Sequence, residues 1–142
     1  DVPEYFNVDG FRVMVERRHN AKGELVTVSE ATVKVTVDGE TLMSAGEGNG
    51  PVNALDEALR KDLGKYSSYI EDLELADYKV RILSQEGTGA VTRGMIESVD
   101  KDGNRWSTVG VSPNIVDASF QALLDSIVYK LFRDGAPAGT SA

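Results

Sequence analysis

The chain has no cysteine, a single histidine, a single tryptophan and four prolines among its 142 residues. No apolar run approaches the roughly 18 residues that a membrane-spanning helix requires. Each shortage removes a class of function. Without cysteine there are no disulfides, thiolate metal sites or cysteine nucleophiles, as suits a reducing compartment. One histidine supports neither a histidine metal cluster nor a nucleophile, base and orienting group, and His19 sits beside the polar turn "RRHNAKGE", where it reads as a solvated residue. Basic residues are outnumbered, 15 against 23 acidic, for a formal charge of −8. That leaves no counterion-releasing face for nucleic acid. With no charged-then-apolar leader either, the expected location is the cytoplasm, away from any membrane.

What remains is an ordinary globular composition, 41% apolar, sufficient for one domain over residues 1–133. The ending "DGAPAGTSA", residues 134–142, is small, polar and Pro/Gly-containing, and is expected to be a flexible tail. The opening "DVPEYF" lacks an initiator methionine, so the chain is read as a piece of a longer protein.

Alternating patterns come first. "FRVMVERR" (11–18), "TVSEATVKVTV" (27–37) and "ETLMSA" (40–45) predict strands, the last two joined by Asp38-Gly39, a tight-hairpin signal. "GEGNGPVNALDEALRKDL" (46–63) then runs from glycines into a helix with Pro51 in its first turn. Val52, Leu55, Leu59 and Leu63 recur at helical spacing, and Gly64 falls where a cap is expected. The second half repeats this order. Strands are predicted over 76–84, 90–100 and 104–111, with a helix from about Asn114 to Phe132. Asp102-Gly103 lies 64 positions after Asp38-Gly39, and the same offset pairs Gly46 with Gly110, Ala54 with Ala118, Ala58 with Ala122 and Leu59 with Leu123. The pattern is an internal duplication. The expected fold is α+β: two βββα repeats, about 10–66 and 73–132, giving two three-stranded antiparallel sheets each with a helix. Val116, Phe120, Leu123, Ile127 and Leu131 mark the core face of the second helix, which Leu124 and Val128 broaden toward a subunit interface.

Metal chemistry has little support. "DKDGN" (100–104) has an acidic, glycine-containing look, but the glycine comes two places early for a calcium loop and Val111 stands where a glutamate is required. It reads as a hairpin. The short basic clusters "RRH" and "LRKDLGK" read as solvated faces, and Trp106 as a half-buried strand residue. The glycine-rich loop is the best chemical feature. Free N–H groups at a helix start favour a carboxylate or phosphate, yet the lysine of a phosphate loop is missing. Its counterpart "GVSPNIVDAS" (110–119) implies two equivalent helix starts.

Those two segments, with "LADYKVRIL", "GTGAVTRGMIES" and "WSTVGVSPNIVDASFQALLDSI", resemble the carboxyl-terminal regulatory domain of the 2-isopropylmalate synthase and citramalate synthase family, from about Phe11 to Leu131. The resemblance implies a dimerising domain that binds an end-product amino acid and is attached to a metal-dependent barrel condensing acetyl-CoA with a 2-oxo acid. The divalent metal and acetyl-CoA belong to that barrel, and no cofactor is expected in this domain. Carried over by position, the effector pocket falls on Gly48, Asn49, Gly50 and Asn53, then on Leu75, Tyr78 and Ile82, then on Ala90, Pro113 and Ile115. In that reading, backbone groups near Gly48–Gly50 hold the polar end of the effector. Leu75, Ile82, Ala90 and Ile115 enclose a branched side chain. The texture of "EATVKVTVDGE" and "DYKVRIL" lies nearer the citramalate branch, whose effector is isoleucine, but leucine differs only in the place of one methyl, worth about 1–3 kcal/mol in an apolar pocket.

Three functions are therefore compared. The leading one is a feedback-regulatory domain of an acyl-transferring synthase of branched-chain amino acid biosynthesis, homodimeric and joined to its catalytic barrel. A stand-alone ligand-binding dimerisation module is the alternative, which the upstream sequence would distinguish. A small enzyme comes last, because the inventory supplies no catalytic set.

Overall fold

The computed structural model describes residues 2–84 and 91–140. The elements run β1 (Asn7–His19), β2 (Leu25–Val37), β3 (Glu40–Gly48), α1 (Pro51–Lys61), a short 3₁₀ helix (Gly64–Tyr69), β4 (Glu74–Ser84), β5 (Val91–Val99), β6 (Arg105–Ser112) and α2 (Ile115–Arg133). They form two antiparallel sheets ordered β1-β2-β3 and β4-β5-β6, each followed by its helix. This is the expected α+β fold of two βββα repeats. β1 to β4 extend beyond their sequence signals, whereas β5 falls within the expected 90–100 and β6 is displaced by one residue. β1 begins four residues before Phe11, because a bulge between Val8 and Gly10 lets pairing with β2 continue to Asn7.

The chain divides into two compact units, the first running to Ser67 and including the segment from Pro137, the second spanning Ser68–Ala136. Period-2 alternation builds the first core. Ala31, Val33, Val35 and Val37 of β2 point inward between Thr32, Lys34 and Thr36, against Ala54, Leu55, Ala58 and Leu59 of α1. Leu63 lies just past the end of α1, and it too is buried. In the second unit Ile96 of β5 meets the face of α2 that carries Ala118, Ala122, Leu123, Ile127 and Leu131. Burial of each large aliphatic side chain contributes about 1.5–3 kcal/mol. Leu124 and Val128, beside that face, are only half-buried.

The two hairpins marked by Asp-Gly differ. Asp38 and Gly39 have φ of 51° and 80° and separate the paired Val37 and Glu40, a two-residue turn with both central residues left-handed. At Asp102-Gly103 only the glycine is left-handed (φ 82°), and the loop has three residues, closed by Asp100 N–H donating to Asn104 O at 3.1 Å. The Asp100 carboxylate accepts from the N–H groups of Asp102 and Asn104, both at 3.0 Å. Asn20 builds the same turn between β1 and β2, its side-chain oxygen accepting from Lys22 N–H and Glu24 N–H at 2.9 Å, with Gly23 at φ 81°.

The extra residue in the second hairpin refines the duplication. From β3 and α1 to β6 and α2 the offset is 64. Ahead of the hairpin it is 63, since Ala31 lies opposite Gly46 whereas Gly94 lies opposite Gly110. Gly46 and Gly110 occupy equivalent points where a strand presses on its helix. A Cβ on Gly46 would come within 2.5 Å of Ala54 O and Ala58 N, and one on Gly110 would overlap Ala118 O. Small residues on both sides allow that approach.

In the carboxyl-terminal segment, residues 134–142, the described part reaches Thr140. Gly139 N–H donates to Glu4 O at 2.8 Å, Tyr66 Oη–H to Pro137 O at 2.6 Å, and Thr140 N–H to Asp38 Oδ1 at 2.8 Å.

Candidate effector site

The ten carried-over residues fall into a group in each unit. In the first unit, Gly48 ends β3 and Gly50 precedes α1. A Cβ on Gly48 would lie 2.8 Å from Asn53 Cβ and 2.9 Å from Ala54 N, so the strand end rests directly on the first turn of the helix. Asn49 and Asn53 are exposed. No side chain caps α1, and Pro51 has no N–H to offer; Gly50 O accepts from Ala54 N–H at 3.1 Å. The helix-start amides of Val52 and Asn53 are thus left without a side-chain cap.

The helix starts are not equivalent, contrary to the expectation from the repeat. At α2 the Asn114 side chain accepts from Val116 N–H at 2.8 Å and Asp117 N–H at 3.0 Å. An asparagine where the first repeat has Gly50 satisfies the amides internally.

The second unit gathers five of its six residues around β4 and the start of α2. Tyr78 pairs with Ile96 and Ile82 with Thr92, so both lie on the helix-facing side of the sheet. Leu75, opposite Ser98, has the wrong parity for that side, and the register shift between Leu75 and Asp77 returns it there. α2 packs on β5 and β6, so this side of β4 stays open, with Tyr78 39% and Ile82 53% exposed. Tyr78 Oη and Ser119 Oγ share a short hydrogen bond, and Ser119 Oγ–H donates to Ile115 O at 2.8 Å. The serine thereby ties Tyr78 to the first turn of α2, where Ile115 is 49% exposed and Pro113 is exposed just before it. Ala90 lies outside the described residues.

Val80 and Ser119 were not singled out by the sequence reading. Val80, 38% exposed, lies between Tyr78 and Ile82 on the same side of β4, and the alternation Tyr78-Val80-Ile82 carries that signal. Ser119 lies one turn after Ile115, but its partner is 41 positions away, a pairing only the fold reveals.

The remaining chemical candidates resolve into structure. His19 is exposed at the end of β1. The "DKDGN" carboxylate at Asp100 is occupied by its own turn and by Arg133. Trp106 is half-buried in β6, and its indole N–H donates to Ser126 O at 3.3 Å and Oγ at 3.2 Å. Among the described residues no three histidine, cysteine, aspartate or glutamate side chains form a metal-holding group. Among them, too, no helix is long and apolar enough to cross a membrane.

These observations define a duplicated βββα domain with an open apolar strip along an edge strand. The chain belongs to the LeuA allosteric (dimerisation) domain family, which it matches over residues 1–131. It is 54% identical over 131 residues to the (R)-citramalate synthase of Geobacter sulfurreducens, covering 92% of this chain and 24% of that protein. The (R)-citramalate synthase of Aquifex aeolicus is 46% identical over 134 residues, 94% of this chain and 25% of that one. A 2-isopropylmalate synthase, from Pseudoalteromonas atlantica, is 34% identical over 98 residues, 68% and 17% of the two chains. The chain spans about a quarter of the length of the two citramalate synthases.

Proposed function

We propose that this chain is the feedback-regulatory domain of an acetyl-CoA-dependent 2-oxo acid condensing synthase, homodimeric and joined to a catalytic barrel, with isoleucine or leucine as its effector. Membership of an allosteric domain family supports the regulatory part of this reading. The higher identity to the citramalate synthases favours that branch, and with it isoleucine.

The observation that carries the effector assignment is the strip Leu75, Tyr78, Val80 and Ile82, aliphatic and aromatic, left open beside α2 and anchored through Ser119. A branched side chain resting there removes apolar surface from water on both partners.

Calorimetric titration of the isolated domain with isoleucine, leucine and glycine tests the reading. One branched amino acid binds and raises the melting temperature, by about 2.7 kcal/mol of stabilisation at a hundredfold excess over Kd. Glycine does neither. Tyr78→Ala abolishes the response, Tyr78→Phe weakens it by loosening the link to Ser119, and a His19 substitution leaves it intact. Absence of heat and melting shift with both branched amino acids at millimolar concentration overturns the assignment.

A further inference from the structure

The side of the second sheet facing away from α2 carries a feature that effector sensing does not use. Arg81 of β4 and Arg93 of β5 are direct cross-strand partners, a placement that brings like charges together and is unfavourable in isolation. Among the described residues neither guanidinium has an ion pair. Of the nearby carboxylates, Glu97 pairs with Arg105 at 2.6 Å and Asp77 with Lys79 at 3.7 Å. Lys79 lies two residues along β4 on the same side, opposite Met95. Lys79, Arg81, Arg93 and Met95 line a cavity of about 360 Å³. Val111, the other cross-strand neighbour of Arg93, is 47% exposed, and Val109, opposite Met95, is 41% exposed. Two guanidiniums without a described ion pair, and Lys79 shared with Asp77, thus line one cavity beside an apolar surface, on a protein whose net charge is −8.

We propose that this cavity is an oxyanion site for a small phosphate-bearing ligand, with Arg81 and Arg93 gripping the phosphate, Lys79 completing its neutralisation, and Met95, Val109 and Val111 receiving an apolar portion. Two guanidiniums side by side match the oxygens of a tetrahedral dianion, and charge-assisted bonds of this kind are among the stronger hydrogen bonds. The volume falls within the range of small-molecule sites. An anion seated between the arginines also removes their mutual repulsion, so binding and stability are coupled.

The test is a titration of the whole domain with inorganic phosphate against chloride at matched ionic strength, read by melting temperature and by the arginine Nε–H resonances. Wild type is stabilised by phosphate, and the Arg81 and Arg93 resonances shift. Arg93→Gln loses at least about tenfold in phosphate affinity, the equivalent of about 1.4 kcal/mol, whereas Arg17→Gln, at an exposed arginine of β1, retains it. In chloride alone Arg93→Gln melts at or above wild type, because one member of a repelling pair is gone. Equal phosphate responses in the three proteins, or none in wild type, overturn the proposal. So does a loss of stability of Arg93→Gln in chloride, which would assign the arginine a structural role. Malonate, run in parallel, tests the anion class, and tighter binding of the dicarboxylate than of phosphate overturns the phosphate assignment.

Discussion

Gly46 and Gly110 hold equivalent places in the two repeats because nothing larger fits between strand and helix there. A methyl at Gly110 collides with the carbonyl of Ala118 and with Gln121 Cβ, the latter at 2.6 Å, and backbone cannot rotate out of the way. Gly110→Ala and Gly46→Ala are therefore each expected to destabilise by about 1–3 kcal/mol or more, as overpacking does in a close-packed interior. Gly50→Ala is the control. Its added Cβ meets nothing within 4 Å and its φ of −150° is open to any residue, so the expected loss stays under about 1 kcal/mol. Chemical denaturation of the three variants checks the contrast, and equal midpoints would remove sterics as the reason for these glycines. The pairing of Gly46 with Gly110 was legible from the repeat alone. Its cause was not, since the sequence shows small residues recurring but not which backbone atoms they admit.

At the scale of elements, the last turns of α2 are fastened by charge. Lys130, 5% exposed at its side chain, lies 2.6 Å from Asp134, 3.4 Å from Asp72 and 3.7 Å from Asp100, while Arg133 bonds the Asp100 carboxylate directly and stacks 5.1 Å from the Trp106 ring. Burial raises the Asp100 carboxyl, but the bonds from Arg133, Asn104 and the turn amides outweigh it and hold the group far below its ordinary 3.8. Asp72 and Asp134 are lowered in the same way, burial again opposing and their hydrogen bonds prevailing. Carboxyls lowered by folding stabilise at any pH above their unfolded value of 3.8, and that contribution is lost as pH falls through 3.8 toward the lower folded values. Asp56, raised chiefly by burial, acts in the opposite sense. Asp100→Asn keeps an oxygen acceptor for the turn amides but removes the charge. The expected result is a lower melting temperature at pH 7 and a flatter acid limb, the two curves converging at low pH. Circular dichroism melts between pH 2 and 7 measure it, with the fluorescence of the single tryptophan reporting locally, and parallel curves would contradict the account.

That network lies beyond what local sequence patterns reveal. Strands, helices and the Asp-Gly hairpins are local, so periodicity and turn chemistry revealed them to within a few residues. The β4 bulge, the one-residue change of offset and the link from Asp72 to Lys130, 58 positions apart, depend on pairings made only when the chain folds. The candidate site divides similarly. Its residues came from resemblance, whereas their common side on β4, the contribution of Val80 and the Ser119 anchor required the register.

For the whole molecule, the decisive feature is that both units leave the same kind of surface uncovered. In the second, Tyr78, Val80 and Ile82 lie opposite Ile96, Gly94 and Thr92. In the first, Val13 and Val15 lie opposite the equivalent Ala31 and Ser29. α1 packs mainly on β2 and β3, as α2 does on β5 and β6, and Val15 is left 60% exposed, Ile82 53%. Repeated apolar edges of this kind suit a partner, the effector strip of β4 then lying beside the seam, and β1 and β4 are the edge strands of their sheets. Membership of a dimerisation domain family points to a second copy as the partner. The expected mass in solution is thus twice 15.3 kDa. A paired substitution Val15→Lys and Ile82→Lys places desolvation-costly charges on both strips and is expected to shift the protein to monomer while leaving each core untouched. Light scattering across a wide concentration range, with circular dichroism to verify folding, measures this. A wild-type monomer at every concentration excludes the dimer, and a folded double variant that still dimerises places the interface on another surface.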